Sequence, residues 1–330
     1  VLAAVFNFAL EKHARIQIFK IGFALLAVTI CPCDFLRLCP APILKGLLLD
    51  SLRNSQNFLH SVPLVSHLLD LTAIAEKDVV YEIGPGKGII TTQLACRCKR
   101  VVAVEKDVRL SALLQHKFAA MAHVEIRCGD FLTSRLPHSS YKVFSNIPFD
   151  QTAAILHKLT DSETAPQAAY LILQKEAAGR FLGRPNETLR SVLLKPWFDL
   201  RCLYTFRRGD FVPCPKVDAV LFGMEKRAQP AVGEAEQDAF CDFVTYAFTC
   251  PQPDVVSTLK HLLPYSQMGT ARRIVSAGTL PSQLSLEIWL ELFRLFQEKG
   301  SDLGRARVLG SEKRLEKQQA KLEKVHRTRV

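Results

Sequence analysis

The stretch VVYEIGPGKG, residues 79–88, decides how this chain folds. Its first half, Val79-Val80-Tyr81-Glu82-Ile83, is a β-branched and aromatic run of the right length for a buried strand. Gly84-Pro85-Gly86-Lys87-Gly88 then permits a tight turn and close approach of backbone to a ligand, and an apolar helix follows over residues 89–98. Such a turn is common in α/β proteins, and the Walker spacing is absent because Lys87 is followed by Gly88. Alone, the stretch implies a strand–turn–helix unit with room for a ligand at its rim.

The alternation continues downstream. Strands are expected at residues 100–104, 124–127, 141–145 and 168–173, and helices at 108–121 and 153–159. Strands separated by helices give a mostly parallel sheet covered on both faces, whose ligands bind outside the carboxyl ends of the strands. Four polar features fall at four successive strand ends: Gly84, Glu105, Asp130 and Asn146. Glu105 is placed to accept hydrogen bonds from a ribose diol, and Asp130 from an adenine amino group. Singly, each reads as well as a surface Glu beside Lys106 or a turn Asp after Gly129. Together they point to an adenosine-containing cofactor without separating a nicotinamide from S-adenosylmethionine.

Asn146-Ile147-Pro148-Phe149 separates the two. Hydride transfer has no use for these residues, whereas methylation of an exocyclic amine does. The lone pair of adenine N6 is delocalised into the ring. An Asn146 side-chain oxygen and the Ile147 carbonyl can accept its two N–H bonds and expose that lone pair. Pro148 restricts Ile147 to an extended conformation, and Phe149 offers a ring face for an unstacked base. As a bare turn the same residues would cap a helix and fill the core; at the end of the fourth strand, beside the other three features, the chemical reading prevails.

Composition sets the frame. At 330 residues the chain accommodates one large and one smaller domain, and its net charge of +11 suits a polyanionic partner, though also many ordinary enzymes. The ten cysteines are scattered as free thiols of a reducing cytosol would be; Cys31-Pro32-Cys33 with Cys39 fits no zinc spacing, so no metal is expected. Residues 21–33 are apolar but too short to span a bilayer, so residues 1–50 are expected as an extension outside the fold, an anchor or secretion signal being the competing reading. Beyond Arg227, helical spacing recurs at 240–248, 255–263, 271–275 and 286–296; these stripes are core, with no chemistry assigned to Trp289 or Phe293. The end of the chain gathers Arg305, Arg307, Lys313, Arg314, Lys317, Lys321, Lys324, Arg327 and Arg329, a run able to neutralise phosphates or simply a solvated tail.

Gln56-Asn57-Phe58-Leu59, the Glu82 to Gly88 turn, Glu105, Gly129-Asp130, Asn146-Ile147-Pro148-Phe149 and Phe211-x-Pro213-x-Pro215-Lys216-Val217-Asp218 occur in the order that resembles the rRNA adenine N6-methyltransferases. The resemblance runs from about Arg53 to the C-terminus. The Asn-Ile-Pro-Phe form, Leu194-Lys195-Pro196-Trp197-Phe198 and His326-Arg327-Thr328-Arg329 resemble the erythromycin-resistance branch; its small-subunit sister more often carries Asn-Leu-Pro-Tyr. The resemblance implies a Rossmann-like class I S-adenosylmethionine-dependent methyltransferase sheet with a small all-α C-terminal domain. The implied divisions are a catalytic domain over 51–227, a helical RNA-cleft domain over 228–298 and a basic tail over 299–330.

It also implies roles. Asn57 and Leu59 would contact the methionine part of S-adenosylmethionine, Gly84 and Gly86 would line its turn, Glu105 would hold the ribose and Asp130 the adenine. Asn146 would sit between cofactor and target, Phe149 would stack on the target base, and Phe211 would close the other side. Arg207, Arg208 and the basic tail would hold RNA. The implied activity is methylation, once or twice, of an adenine N6 in naked or precursor 23S rRNA by a cytoplasmic monomer, with macrolide, lincosamide and streptogramin B resistance as the outcome. A small-subunit (16S) rRNA dimethyltransferase, a DNA adenine methylase and a catalytically silent RNA-binding factor are the competing readings.

Overall fold

A computed structural model describes residues 57–161 and 163–327, with side-chain burial through Lys321. The expectations for residues 1–50, including Cys31, Cys33 and Cys39, and for Arg329 lie outside the described residues. The apolar runs become the inner strands of a seven-stranded sheet. Strands β1 (Val79–Ile83), β2 (Arg100–Glu105), β3 (Val124–Cys128), β4 (Lys142–Asn146) and β5 (Ala168–Gln174) are parallel. β1, β2 and β5 are buried almost throughout, as a sheet covered on both faces requires.

Two further strands were not expected. β6 (Phe198–Thr205) and β7 (Ala219–Lys226) complete the order β3-β2-β1-β4-β5-β7-β6, in which β7 runs antiparallel to both neighbours. The AVLFGM run of β7 is fully buried, while β6 is a half-exposed edge whose register shifts between Cys202 and Tyr204. Fourth-strand pairing extends to Asn146, one residue beyond the expected end, so the amide stands on the last residue of a strand.

Local signals position the covering helices. The side chain of Ser61 accepts from the Leu64 N–H and starts α1 (Val62–Asp70), with a proline in its first turn. Asp107 caps α3 (Val108–Lys117) through the N–H groups of Arg109 and Leu110. α2 (Ile89–Ala95), α4 (Thr152–Leu159), α5 (Lys175–Leu182) and α6 (Leu189–Leu194) complete the set. α3 stops short of the expected end because the turns Met121 N–H to Phe118 O and Val124 N–H to Met121 O redirect the chain into β3.

Alternation along the strands separates two cores. Val80, Phe144, Tyr170 and Leu221 pack with Val65, Leu68 and Leu94 on one face. Tyr81, Val143, Leu171 and Phe222 share the other core with Trp197, Phe240, Phe243 and Trp289. This second core carries the sheet into the helices α7 (Gln237–Thr249), α8 (Val255–Leu259), α9 (Met268–Ile274) and α10 (Leu286–Lys299). Trp289 and Phe293 are core residues, as the periodicity indicates. From Asn57 onward the chain forms one compact unit. Among the described residues, no helix is long and apolar enough to cross a membrane.

The basic end of the chain is helical and docked. After α11 (Asp302–Val308), α12 (Ser311–Arg327) begins where buried Asp242 of α7 accepts from the N–H groups of Gly310 at 2.6 Å and Glu312 at 2.9 Å. Asp242→Ala leaves both donors without this acceptor. It is expected to lower stability by about 1–3 kcal/mol in urea unfolding.

A second buried carboxyl sits inside β1. Glu82 is 1% exposed and accepts from Thr91 Oγ1 at 2.6 Å. Burial, chiefly, pushes its pKa from 4.5 up to about 8. The folded protein therefore keeps a proton that the unfolded chain has released, so this carboxyl makes stability fall as pH rises from 4.5 through about 8. Glu82→Gln removes that slope. Urea unfolding near pH 5 and near pH 8 is expected to show the variant gaining at least about 1 kcal/mol on the parent over that interval.

Candidate active site

β1 and β4 are neighbours at the point where the strand order reverses: the chain leaves β1 toward β2 and β3, and leaves β4 toward β5. Such a reversal opens a crevice at the carboxyl ends of the two strands. Gly84 and Asn146 stand on its two sides. Ser145 ties them together from below, its Oγ accepting from the Ile83 N–H at 3.2 Å and donating to the Ile83 carbonyl at 2.5 Å.

The glycine turn is built from left-handed backbone. Gly84, Gly86 and Gly88 have φ of +63°, +56° and +76°. A Cβ at Gly84 would meet nothing within 4 Å, so the turn opens onto free space; a Cβ at Gly86 would lie 2.5 Å from the Phe58 ring, which covers that glycine. Lys87 Nζ in turn sits 5.5 Å from the centroid of the Phe58 ring.

Two carboxyls follow at the adjacent strand ends. Glu105 is buried: Oε2 accepts from Gly86 N–H at 3.1 Å and Oε1 from Asp107 N–H at 2.9 Å. It is thus no surface residue. Asp130 accepts from Leu132 N–H through Oδ1 at 2.9 Å and pairs with Lys106 through Oδ2 at 2.8 Å. The Lys106 hydrogen bond holds its carboxyl below the ordinary range.

Asn146 donates from Nδ2 to the main-chain carbonyl of Asn57 at 2.7 Å. That bond fixes the amide's orientation and leaves Oδ1 as an acceptor. Among the described residues nothing donates to Oδ1 or to the Ile147 carbonyl. Ile147 is anchored by its buried side chain and by its N–H, which donates to Ile172 O at 3.3 Å. Pro148, at φ −59° and ψ 124°, leads into a single 3-10 turn, Phe149–Gln151. The Phe149 ring is half-buried, packed on one side against the core beneath α1.

Asn57 reaches the site through a two-residue ribbon, Phe58–Leu59, paired antiparallel with Phe211–Val212. So short a ribbon needs apolar side chains to pin it. Leu59 is 5% exposed and Phe211 is 2% exposed, the latter with its ring 5.1 Å from that of Phe206. This corrects the expectation for Phe211, whose ring is taken up in the core and offers no face to a base. Leu59 likewise has only its main chain to offer a ligand.

The basic candidates divide. Arg208 pairs with Asp218 at 3.1 Å, while the exposed Arg207 donates its main-chain N–H to Asp210. Arg314 donates to the carbonyls of Arg307 and Leu309 and to Ser311 Oγ, so it braces the α11–α12 junction. Lys313, Lys317 and Lys321 are exposed at four-residue spacing, one stripe along α12. Lys324 and Arg327 continue the helix.

Sequence reasoning assigned no role to Ser145, Glu82 or Phe58. A hydroxyl beside Asn146 in an apolar strand and a carboxyl inside VVYEI were the available signals. Open ground before Gly84, acceptor groups at the ends of β2 and β3, and an amide oxygen at the end of β4 fit a ligand carrying a diol, an amine and a reactive end.

The ribosomal RNA adenine dimethylase family model matches residues 51–298. The ribosomal RNA small subunit methyltransferase A of Geobacter metallireducens is 30% identical over 260 residues, 74% of this chain and 94% of that protein. The rRNA adenine N-6-methyltransferase of Saccharopolyspora erythraea is 27% identical over 252 residues, 76% of this chain and 66% of that one. The crystal structure of the 23S rRNA methyltransferase ErmE superposes with a TM-score of 0.68 at 26% identity, covering 73% of this chain and 100% of ErmE. The dimethyladenosine transferase of Plasmodium falciparum shares the fold, with a TM-score of 0.62 at 19% identity, over 74% of this chain and 99% of that one. The chain belongs to the ribosomal RNA adenine dimethylase family, and is an enzyme that uses S-adenosylmethionine to methylate N6 of adenine in rRNA.

Proposed function

We propose that the rRNA is 23S and that its methylation protects the ribosome against macrolide, lincosamide and streptogramin B drugs. The observation that carries this reading is the Asn-Ile-Pro-Phe form of the loop at Asn146-Ile147-Pro148-Phe149, with an amide held by its nitrogen and a half-buried phenyl ring. The likeness to ErmE over that protein's whole length supports it. A second reading, small-subunit rRNA, is favoured by the Geobacter relative, which this chain covers almost completely.

S-adenosylmethionine supplies an activated methyl on a sulfonium that is itself a good leaving group, so the reaction calls for no metal. The chain's contribution is position and electron density. Asn57 holds the Asn146 amide by its nitrogen, so that Oδ1 accepts one N6–H of the target adenine. The carbonyl of Ile147 accepts the other, and the lone pair of N6 is localised toward the methyl. Phe149 stacks on the extruded base. When bound, the cofactor would be held by Glu105 at its ribose hydroxyls and by Asp130 at its adenine, while Gly84, Gly86, Asn57 and the main chain of Leu59 would line its methionine end. Water takes the proton lost from the methylated amine. The enzyme acts in the cytoplasm as a monomer on naked or precursor rRNA, where an unpaired adenine is within reach without melting a helix.

Primer extension on rRNA from expressing cells tests the assignment: a stop in 23S rRNA with raised macrolide tolerance is expected, whereas a stop confined to 16S rRNA gives the second reading. Asn146→Ala is expected to lower kcat by about 100-fold or more while S-adenosylmethionine affinity, measured by calorimetry, stays within about three-fold. Replacing Lys313, Lys317 and Lys321 by Gln is expected to weaken rRNA binding and flatten its salt dependence by up to about two units of log–log slope, with cofactor affinity unchanged.

A further inference from the structure

The helical region carries a second surface with the chemistry of nucleic-acid recognition. Between Asp254 and Glu287 the sequence contains no Asp or Glu, yet it contains Lys260, His261, Arg272 and Arg273. The flanking Asp254 is engaged within the fold, accepting from the N–H groups of Ser257 at 2.6 Å and Gly278 at 2.8 Å. Among the described residues no ion pair involves Lys260, Arg272 or Arg273. No ion pair neutralises these cations, and the acids of the neighbouring helix are the exposed Glu287, Glu291 and Glu298 of α10.

An aromatic ring stands in this acid-free stretch of sequence. Tyr265 is 91% exposed, at the start of the 3-10 turn Tyr265–Gln267 that runs directly into α9 (Met268–Ile274). Helical periodicity puts Tyr265, Gly269 and Arg272 on one face, with Arg273 beside them, and all four are exposed. Met268 and Ala271 of the helix, and Val275 just after it, are buried. A Cβ at Gly269 would meet nothing within 4 Å, so the helix surface is open at that position. Arg273 is steadied by a hydrogen bond to Thr270 Oγ1 at 3.2 Å.

A nearly fully exposed tyrosine has no packing reason to be there. Leading into a helix that exposes Arg272 and Arg273, it matches the recognition of single strands, in which a base stacks on an aromatic ring while arginines meet the phosphates. We infer that the Tyr265–Arg272–Arg273 face of α9 is an accessory site for an unpaired stretch of the rRNA substrate, separate from the loop at Asn146. The inference rests on the chain acting on rRNA; it does not depend on whether that rRNA is 23S or 16S.

The test is binding by the full-length chain to a 23S transcript, a 16S transcript and a single-stranded oligouridylate, with steady-state methylation of the preferred transcript alongside. Tyr265→Ala is expected to raise Kd and KM for RNA by about five-fold or more while kcat and S-adenosylmethionine affinity stay at parental values. Tyr265→Phe, which keeps the ring, is expected to remain within about two-fold. The Arg272→Gln/Arg273→Gln variant is expected to reduce the salt slope by about 1.4, the single-strand value for two phosphates. Arg294→Gln/Lys299→Gln removes the same charge from exposed positions on α10 and serves as control. Unchanged RNA binding in Tyr265→Ala, or an equal loss in the control pair, overturns the inference. The 23S assignment is judged separately, by the modified nucleotide, so the two stand or fall apart.

Discussion

β1 and β4, paired at Val80–Lys142 and Tyr81–Val143, must part at their carboxyl ends for this site to exist, and Ser145 governs how they part. Its hydroxyl both accepts from and donates to the main chain of Ile83, so β1 and β4 are held together up to the last residue before each turns away. Directly beyond that clasp, one strand becomes the glycine turn and the other becomes Asn146. The spacing between turn and amide is thus set by a buried hydrogen-bonded pair rather than by loop flexibility, which is what transfer between two positioned groups demands.

The amide itself is held from the far side. Its nitrogen is fixed by the carbonyl of Asn57, and its neighbours are fixed by a buried isoleucine and a proline. An asparagine free to turn would present oxygen or nitrogen to a target amine with similar ease. Here one end has a partner, and the remaining end is an acceptor of the polarity that an amine requires. The same economy governs Glu105, whose oxygens take N–H bonds from the glycine turn and from the start of α3, coupling two strand ends through one carboxyl.

Much of this was legible in the sequence because it is local. Strand–turn–helix units announce themselves by apolar runs and glycines, and the four polar strand ends follow from counting. What escaped depends on distant pairing. β6 and β7 were hidden because β6, an edge strand, lacks a continuous apolar run, and because β7 follows a proline-rich loop that reads as irregular chain. The base-closing role that the family resemblance implied for Phe211 does not fit a ring so fully buried. Only the pairing of Leu59 with Phe211 reveals that the ring anchors a ribbon. Glu82 was visible as a carboxyl inside a strand, but its raised pKa arises from burial, which no spacing rule reports.

The ribbon between Phe58–Leu59 and Phe211–Val212 also makes the site depend on distant parts of the chain. Asn57 lies before the five parallel strands in the chain, while the strand that secures it, Phe211–Val212, lies after them. Without Phe211–Val212, the ribbon that brings the Asn57 carbonyl to Asn146 has no strand to pair with. The orientation of the Asn146 amide therefore depends on a long-range contact, which can close only once both flanks of the parallel strands are present.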